Sequence, residues 1–402
     1  MKLVLLTTLI GFLLCLGNEG VFQASSSSSS PEQNYKTYCA GCHGENLEAF
    51  IDRSWVYGNS KAALAKGIKN GYPNEGMPAF DTTFTKQEVE ALAQYIRRGI
   101  QKREQANETT TKRKHIYQSD DLKYQAVLVA EGLNVPWGLA FLPKQELLIT
   151  DQNGTLYRLS TDKKLHKIKA VPEVLHRGQG GLMDVELHPD FDNNQLIYLS
   201  YSKFKREGGR VLSTTAILRA KLKNDVLSEV QEIFEADPYL PTRRHYGSRL
   251  EFDKEGFLYF SVGDRGFRDR NPQFLNNDCG KIHRLKADGR IPKDNPFYGQ
   301  EGKQASIYSY GHRNPQGLTM HPKSGQIWIH EHGPRGGDEV NIIQKGSNYG
   351  WPVISYGINY NGTTFTNLTE KKGMEQPLLY WVPSIAPCGM DFIEGEVYPE
   401  WQ

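Results

Sequence analysis

The chain is poor in cysteine: five in 402 residues, too few for a disulfide scaffold. It is poor in net charge. Its 48 Lys and Arg against 46 Asp and Glu leave +2, which gives no electrostatic case for a nucleic-acid partner or a membrane surface. It also has no long apolar run. Met1 to Leu16 holds one Lys and then a nearly unbroken apolar stretch of about 14 residues, the length of a signal peptide and short for a membrane span. Residues 1–24 therefore read as a signal peptide and the chain as exported. Cys15 suits a lipoprotein signal, but Leu14 before it is a poor match to the small residue such a signal prefers. Membrane association is expected only if this segment is retained or lipidated. The serines of Ser25 to Ser30, within residues 25–32, read as a flexible spacer.

Two of the few cysteines lie in Cys39-Ala40-Gly41-Cys42-His43. C-x-x-C-H is the attachment signature of a c-type haem. Two thiols three positions apart can each form a thioether to one porphyrin, and the adjacent His43 can ligate the iron. A redox dithiol does not need that His, and a zinc site needs a second ligand pair, which is absent nearby. Met77, in Gly76-Met77-Pro78-Ala79-Phe80, offers a thioether from a Gly/Pro-bounded loop, where filler Met is unusual. Thr85-Lys86-Gln87-Glu88 is a capping box, and Val89, Leu92, Ala93 and Ile96 then recur at helical spacing. Residues 33–103 resemble a small all-α class I cytochrome c. Haem attachment outside the cytoplasm, which that resemblance implies, agrees with the export signal and points to a periplasmic protein.

Residues 104–121 are charged and polar with almost no apolar residue, so an extended or disordered linker is expected. A flexible chain of about 20 residues spans roughly 25 Å. From residue 122 onward the pattern is β. Gly-Leu-Ala-Phe-Leu-Pro from Gly138 is echoed from Asp184, Arg249, Gly317 and Gly389, and the first four phrases are each followed by a turn and an alternating strand. Such a repeat marks a β-propeller over residues 122–402. Five blade starts are visible, and the last is cut off at Gln402, so the C-terminal blade is expected to be incomplete. Lys123 to Ala130 is the candidate for an outer strand that closes the ring. Cys279 and Cys388 admit both a disulfide and two free thiols.

The loops between these strands carry Gly178-Gln179-Gly180-Gly181-Leu182, Arg244-His245-Tyr246-Gly247-Ser248-Arg249, Val262-Gly263-Asp264-Arg265-Gly266 and Gly311-His312-Arg313-Asn314-Pro315-Gln316-Gly317. Glu331 to Asn341 and Gly346 to Pro352 follow. Together and in this order they resemble the soluble PQQ-dependent glucose/aldose-sugar dehydrogenases, a family of six-bladed propellers, from about Val135 to Asp391.

An alcohol oxidation needs a base, and His suits that role near neutrality. The resemblance makes His245 the catalytic base, with Asp264 placed to orient its ring. It gives Arg313 and Asn314 the grip on PQQ, with Arg313 also stabilising the charge that develops on the quinone oxygen, and Gln179 a further contact. Gly333 and Pro334 match carbonyl ligands of a Ca²⁺ beside the quinone, and Glu339 and the Tyr349 carbonyl resemble ligands of a second Ca²⁺. Family arginines nearer the C-terminal end have no counterpart before Gln402. The expected activity is oxidation of an aldose hydroxyl by hydride transfer to PQQ, with electrons passed to haem c and then to an external soluble cytochrome or respiratory chain. A sorbosone-like aldehyde or a simple alcohol are alternative substrates. The alternative class is a non-catalytic glycan- or protein-binding propeller beside a separate electron-transfer domain.

Overall fold

The computed structural model describes residues 29–44, 47, 50, 55, 57–73, 77–107, 116–118 and 123–395. The expected signal peptide, most of the serine spacer and the last seven residues lie outside them.

The N-terminal segment is helical. Helix α1 (Pro31–Tyr38) starts at Ser30, whose hydroxyl accepts from the Gln33 amide, and α2 (Ala40–His43) follows at once. Helix α3 (Lys61–Asn70) is capped by Ser60. Helix α4 (Lys86–Asn107) opens with the expected capping box. Glu88 Oε2 accepts from the Thr85 amide at 2.8 Å, and Thr85 Oγ1 accepts from the Glu88 amide at 3.3 Å. The predicted face, Val89, Leu92, Ala93 and Ile96, is buried against Tyr35, Leu64, Ile68, Phe80 and Phe84. Each such side chain contributes roughly 1.5–3 kcal/mol of burial.

Two expectations about the linker need correction. Helix α4 runs four residues past the expected boundary at Arg103 to Asn107, because Lys, Arg, Glu and Gln are good helix formers even without an apolar face. Residues 123–125 do not close a ring. Strand β2 (Lys123–Gln125) pairs with β1 (Ile116–Gln118) in an isolated antiparallel hairpin, Tyr117 opposite Tyr124.

Among the described residues, the rest forms four antiparallel four-stranded sheets. The first contains β3 (Pro136–Phe141), β4 (Leu147–Asp151), β5 (Thr155–Leu159) and β6 (Leu165–Lys167). The second contains β7 (Leu182–Leu187), β8 (Leu196–Glu207), β9 (Arg210–Lys223) and β10 (Val226–Glu235). The third contains β11 (Leu250–Phe252), β12 (Phe257–Val262), β13 (Lys281–Lys286) and β14 (Ile307–Tyr310). The fourth contains β15 (Pro315–Met320), β16 (Ile327–Glu331), β17 (Asp338–Ile342) and β18 (Leu379–Trp381). Strand order follows chain order in every sheet, and the first strands pack side by side: β3 on β7, β7 on β11, β11 on β15. This is the radial arrangement of propeller blades.

The four predicted blade starts fall on β3, β7, β11 and β15. The fifth, from Gly389, carries no strand among the described residues. Each seam between sheets has its own apolar core. Leu148, Leu156, Leu182 and Leu199 fill the first, Ile217, Leu250, Leu258 and Phe260 the second, and Ile282, Leu318 and Ile329 the third. Buried Asp184 ties sheets together, accepting from Arg249 Nη1 at 3.0 Å and the Leu250 amide at 2.9 Å, while the Arg249 guanidinium lies 4.3 Å from the Trp137 ring centre. Cys279 is buried, Cys388 is exposed, and both are free thiols.

Candidate active site

Antiparallel order sends alternate connections to the same end of every sheet. One end collects the links from each fourth strand to the next first strand, and also the turns between second and third strands. The site grows from these connections. Gln179 precedes β7, His245 precedes β11, and Arg313 and Asn314 precede β15. Asp264 lies between β12 and β13, and Gly333 and Pro334 lie between β16 and β17; Tyr349 instead comes from the long connection between the third and fourth strands, β17 and β18.

His245 and Asp264 meet as the sequence predicted. His245 Nδ1 lies 2.6 Å from Asp264 Oδ1. A carboxylate only accepts, so Nδ1 carries the proton and Nε2 is left as the basic nitrogen. Two amide contacts fix the pair. Gln179 Oε1 accepts from the His245 amide, and Asp264 Oδ1 accepts from the Gly266 amide, both at 2.6 Å. The His245 backbone is left-handed, with φ of +56°, a conformation that a non-glycine residue holds only when its surroundings impose it. Gly263 makes the approach possible, because a Cβ there would sit 2.3 Å from the His245 carbonyl oxygen.

Electrostatics keep His245 neutral. Burial, then the Arg313 charge, lowers His245 to a pKa of about 4, against the pull of Asp264. Burial alone would raise the Asp264 carboxyl, but His245, Arg313 and the Gly266 amide together hold it below its ordinary value.

These residues line a cavity of about 380 Å³ with Arg244, Arg268, Trp351 and Tyr360, within the range of small-ligand sites. Arg313 donates from Nη1 to the His332 carbonyl at 2.9 Å, and its amide donates to Glu331 Oε2 at 2.6 Å. Asn314 commits its side-chain oxygen to the Gly247 amide at 3.1 Å. Arg244 Nε is buried with no hydrogen-bond partner among the described residues. Four arginines around one cavity, Arg244, Arg268, Arg270 and Arg313, suit a polyanionic ligand such as a tricarboxylate quinone. A larger cavity of about 980 Å³ lies among the first strands of the four sheets, beside Asp184, Glu186 and Glu251, and holds none of these groups.

Trp351 was missed by the sequence reading. Its Nε1 donates to Asp264 Oδ2 at 2.9 Å, so both oxygens of Asp264 are engaged. The only signal was its place in the Gly346 to Pro352 stretch.

The calcium expectations meet a mixed environment. No group of three or more His, Cys, Asp or Glu suited to a metal occurs among the described residues. The Pro334 carbonyl already accepts from Ser384 Oγ at 3.0 Å and has one lone pair left for a cation. Gly333, Glu339 and Tyr349 share a small space of about 10 Å³ with Glu331, enough for one water or ion. Burial, then the Glu331 charge, pushes Glu339 up to about 8. A cation between these two carboxylates would relieve that repulsion, so the donor set fits one.

In the helical segment, His43 stacks on Phe50 with ring centres 4.5 Å apart, and Phe50 stacks on Trp55 at 5.7 Å. Met77 exchanges backbone hydrogen bonds with Tyr72 at 2.8 and 3.2 Å, which places it in an irregular loop as predicted. Cys39 precedes the one-turn helix α2 and Cys42 lies within it, and the Cys42 side chain lies outside the described residues. The aromatic surroundings of His43 suit a macrocycle.

Comparisons with known proteins agree. The family model described as glucose/sorbosone dehydrogenase matches residues 133–402. A second, described as cytochrome c oxidase, cbb3-type, subunit III, matches residues 27–96. Aldose sugar dehydrogenase YliI of Escherichia coli (strain K12) is 42% identical over 281 residues, covering 68% of this chain and 75% of the relative. A crystal structure of glucose dehydrogenase aligns at TM-score 0.66 and 44% identity, covering 68% of this chain and 80% of that one. The PQQ-bound form of aldose sugar dehydrogenase from Streptomyces coelicolor aligns at TM-score 0.52 and 29% identity, covering 63% and 70%. This chain belongs to the glucose/sorbosone dehydrogenase family, a sugar oxidoreductase propeller joined to an N-terminal cytochrome c domain.

Proposed function

We propose that the chain oxidises the anomeric hydroxyl of an aldose to a lactone, with PQQ and haem c as prosthetic groups, and that it works in the periplasm. One observation carries this reading: the His245–Asp264 pair leaves Nε2 basic beside a cavity lined by Arg313, Asn314 and Gln179. His245 takes the hydroxyl proton, Asp264 holds the ring and balances the imidazolium, and Arg313 steadies negative charge that develops on an acceptor oxygen. Gln179, Arg313 and Asn314 would hold PQQ, which would supply a hydride-accepting carbonyl. Ca²⁺ on the Gly333 and Pro334 carbonyls is the expected polarising cation, with a second at Glu339 and the Tyr349 carbonyl. Cys39, Cys42, His43 and Met77 are the residues that would hold haem c, which would supply a one-electron relay. The sugar loses two electrons and two protons, so an external one-electron acceptor is reduced twice per lactone. The sheets described here belong, on this reading, to a ring of the six-bladed type.

The test is reconstitution of the full chain with PQQ and Ca²⁺, followed by addition of an aldose. Lactone must form in the presence of a phenazinium dye, and the haem absorbance must change to that of the reduced state. No lactone with any aldose would refute the reading.

A further inference from the structure

Among the described residues, two contacts join the helical segment to the propeller: one uses Arg335, which has no role in the chemistry above, and the other uses Arg244, which also lines the cavity. The Arg335 guanidinium lies 4.5 Å from the centre of the Tyr38 ring. Arg244 Nη1 donates to the Pro73 carbonyl at 3.1 Å. All four residues are next in sequence to groups already placed. Tyr38 precedes Cys39, and Pro73 follows Tyr72, the backbone partner of Met77. Arg244 precedes His245, and Arg335 follows Pro334.

The contacts rest on rigid supports. The Tyr38 ring stands edge-on to Phe84, with centres 5.0 Å apart, and to Phe80 at 6.2 Å. The Arg335 backbone exchanges hydrogen bonds with Ile358 at 3.1 and 3.0 Å. An arginine over an aromatic face is attracted by the ring quadrupole, and its fixed fork loses little freedom in the contact.

We infer that the haem-binding segment docks on the rim of the sugar site, with Arg335 on Tyr38 as the anchor and Arg244 on Pro73 as the second point. The surface brings the side of the small domain that carries Tyr38 and Pro73, neighbours of Cys39 and of Met77's partner Tyr72, against the mouth of the cavity. The tether raises the local concentration of the docking partner, so a small interface suffices. This inference rests on the proposed relay between the two domains and names the residues that hold it together.

The experiment uses the full chain with its haem. Arg335→Glu removes the cation, and Tyr38→Leu removes the ring while keeping the position apolar. Without added quinone, small-angle scattering should show a compact wild-type particle and a larger radius of gyration for both variants. With PQQ, Ca²⁺ and an aldose, haem reduction should slow by about tenfold in Arg335→Glu, while turnover with a phenazinium dye is unchanged. Wild-type scattering and wild-type haem reduction in both variants would overturn the interface. A wild-type protein that forms no lactone even with the dye would refute the proposed function instead, and the scattering comparison would still decide the docking.

Discussion

Trp351 Nε1 and Asp264 Oδ2 share a 2.9 Å hydrogen bond across 87 residues of sequence and two sheets. The indole donor holds the carboxylate from one side while His245 and the Gly266 amide hold it from the other. Removing it while keeping the ring is a clean probe. Trp351→Phe should cost about 1.5–3 kcal/mol of stability, as expected for a hydrogen bond to a charged group. Sugar turnover should fall, and denaturant unfolding beside steady-state kinetics would separate the two effects.

His245→Asn tests the base without disturbing the backbone, since Asn tolerates the left-handed conformation at that position better than most residues. The kcat for sugar oxidation should drop by about 10²–10⁴-fold. Unchanged turnover in a folded variant would remove His245 from the chemistry.

The pH profile follows from the lowered His245 pKa. With a folded value of about 4, the neutral base is present above pH 4. The acid limb of kcat/KM, which reports the free enzyme, should therefore lie near 4 rather than near the usual 6.5. Stability has the matching sign. As pH falls from about 6.5 toward 4, the unfolded chain binds a proton at this residue that the folded chain refuses, so this residue's contribution to stability declines across that window and levels below it. Denaturant titrations of wild type and His245→Asn across that range would show the difference.

Met77→Leu should lower the haem reduction potential and abolish any Met-to-iron charge-transfer band. Redox titration and near-infrared absorbance check this. An unchanged spectrum would rule Met77 out as an axial ligand.

Chelation should reveal the cation. If carbonyls of Gly333 and Pro334 hold Ca²⁺, exhaustive EDTA treatment should abolish sugar oxidation. Ca²⁺ should restore it better than Mg²⁺, which tolerates irregular carbonyl sites poorly. Full activity in the chelated protein would show that no cation is needed.

Much of this was legible in the chain. The capping box at Thr85 and Glu88, the buried face from Val89 to Ile96 and four of the blade starts follow from short-range periodicity and emerge as read. His245 and Asp264 were paired by motif, and the geometry brings them within 2.6 Å. Long-range contacts between residues without a common motif were not legible. Nothing local tells an indole from filler, so Trp351 was passed over. The hairpin at 116–125 hid inside a charged stretch, because strand pairing there depends on its partner rather than on apolar alternation. The Arg335–Tyr38 contact spans two domains, and composition says nothing about which surface arginine meets which ring.

Gln179, His245, Arg313 and Trp351 hang from connections before the second, third and fourth sheets and within the fourth. No single sheet contains a working centre. A polypeptide made in order from its amino end lacks the assembled cavity until its fourth sheet has packed and the indole reaches Asp264. On the proposed function, unfinished or misassembled copies would lack the centre that passes reducing equivalents, because the last of these pieces completes it.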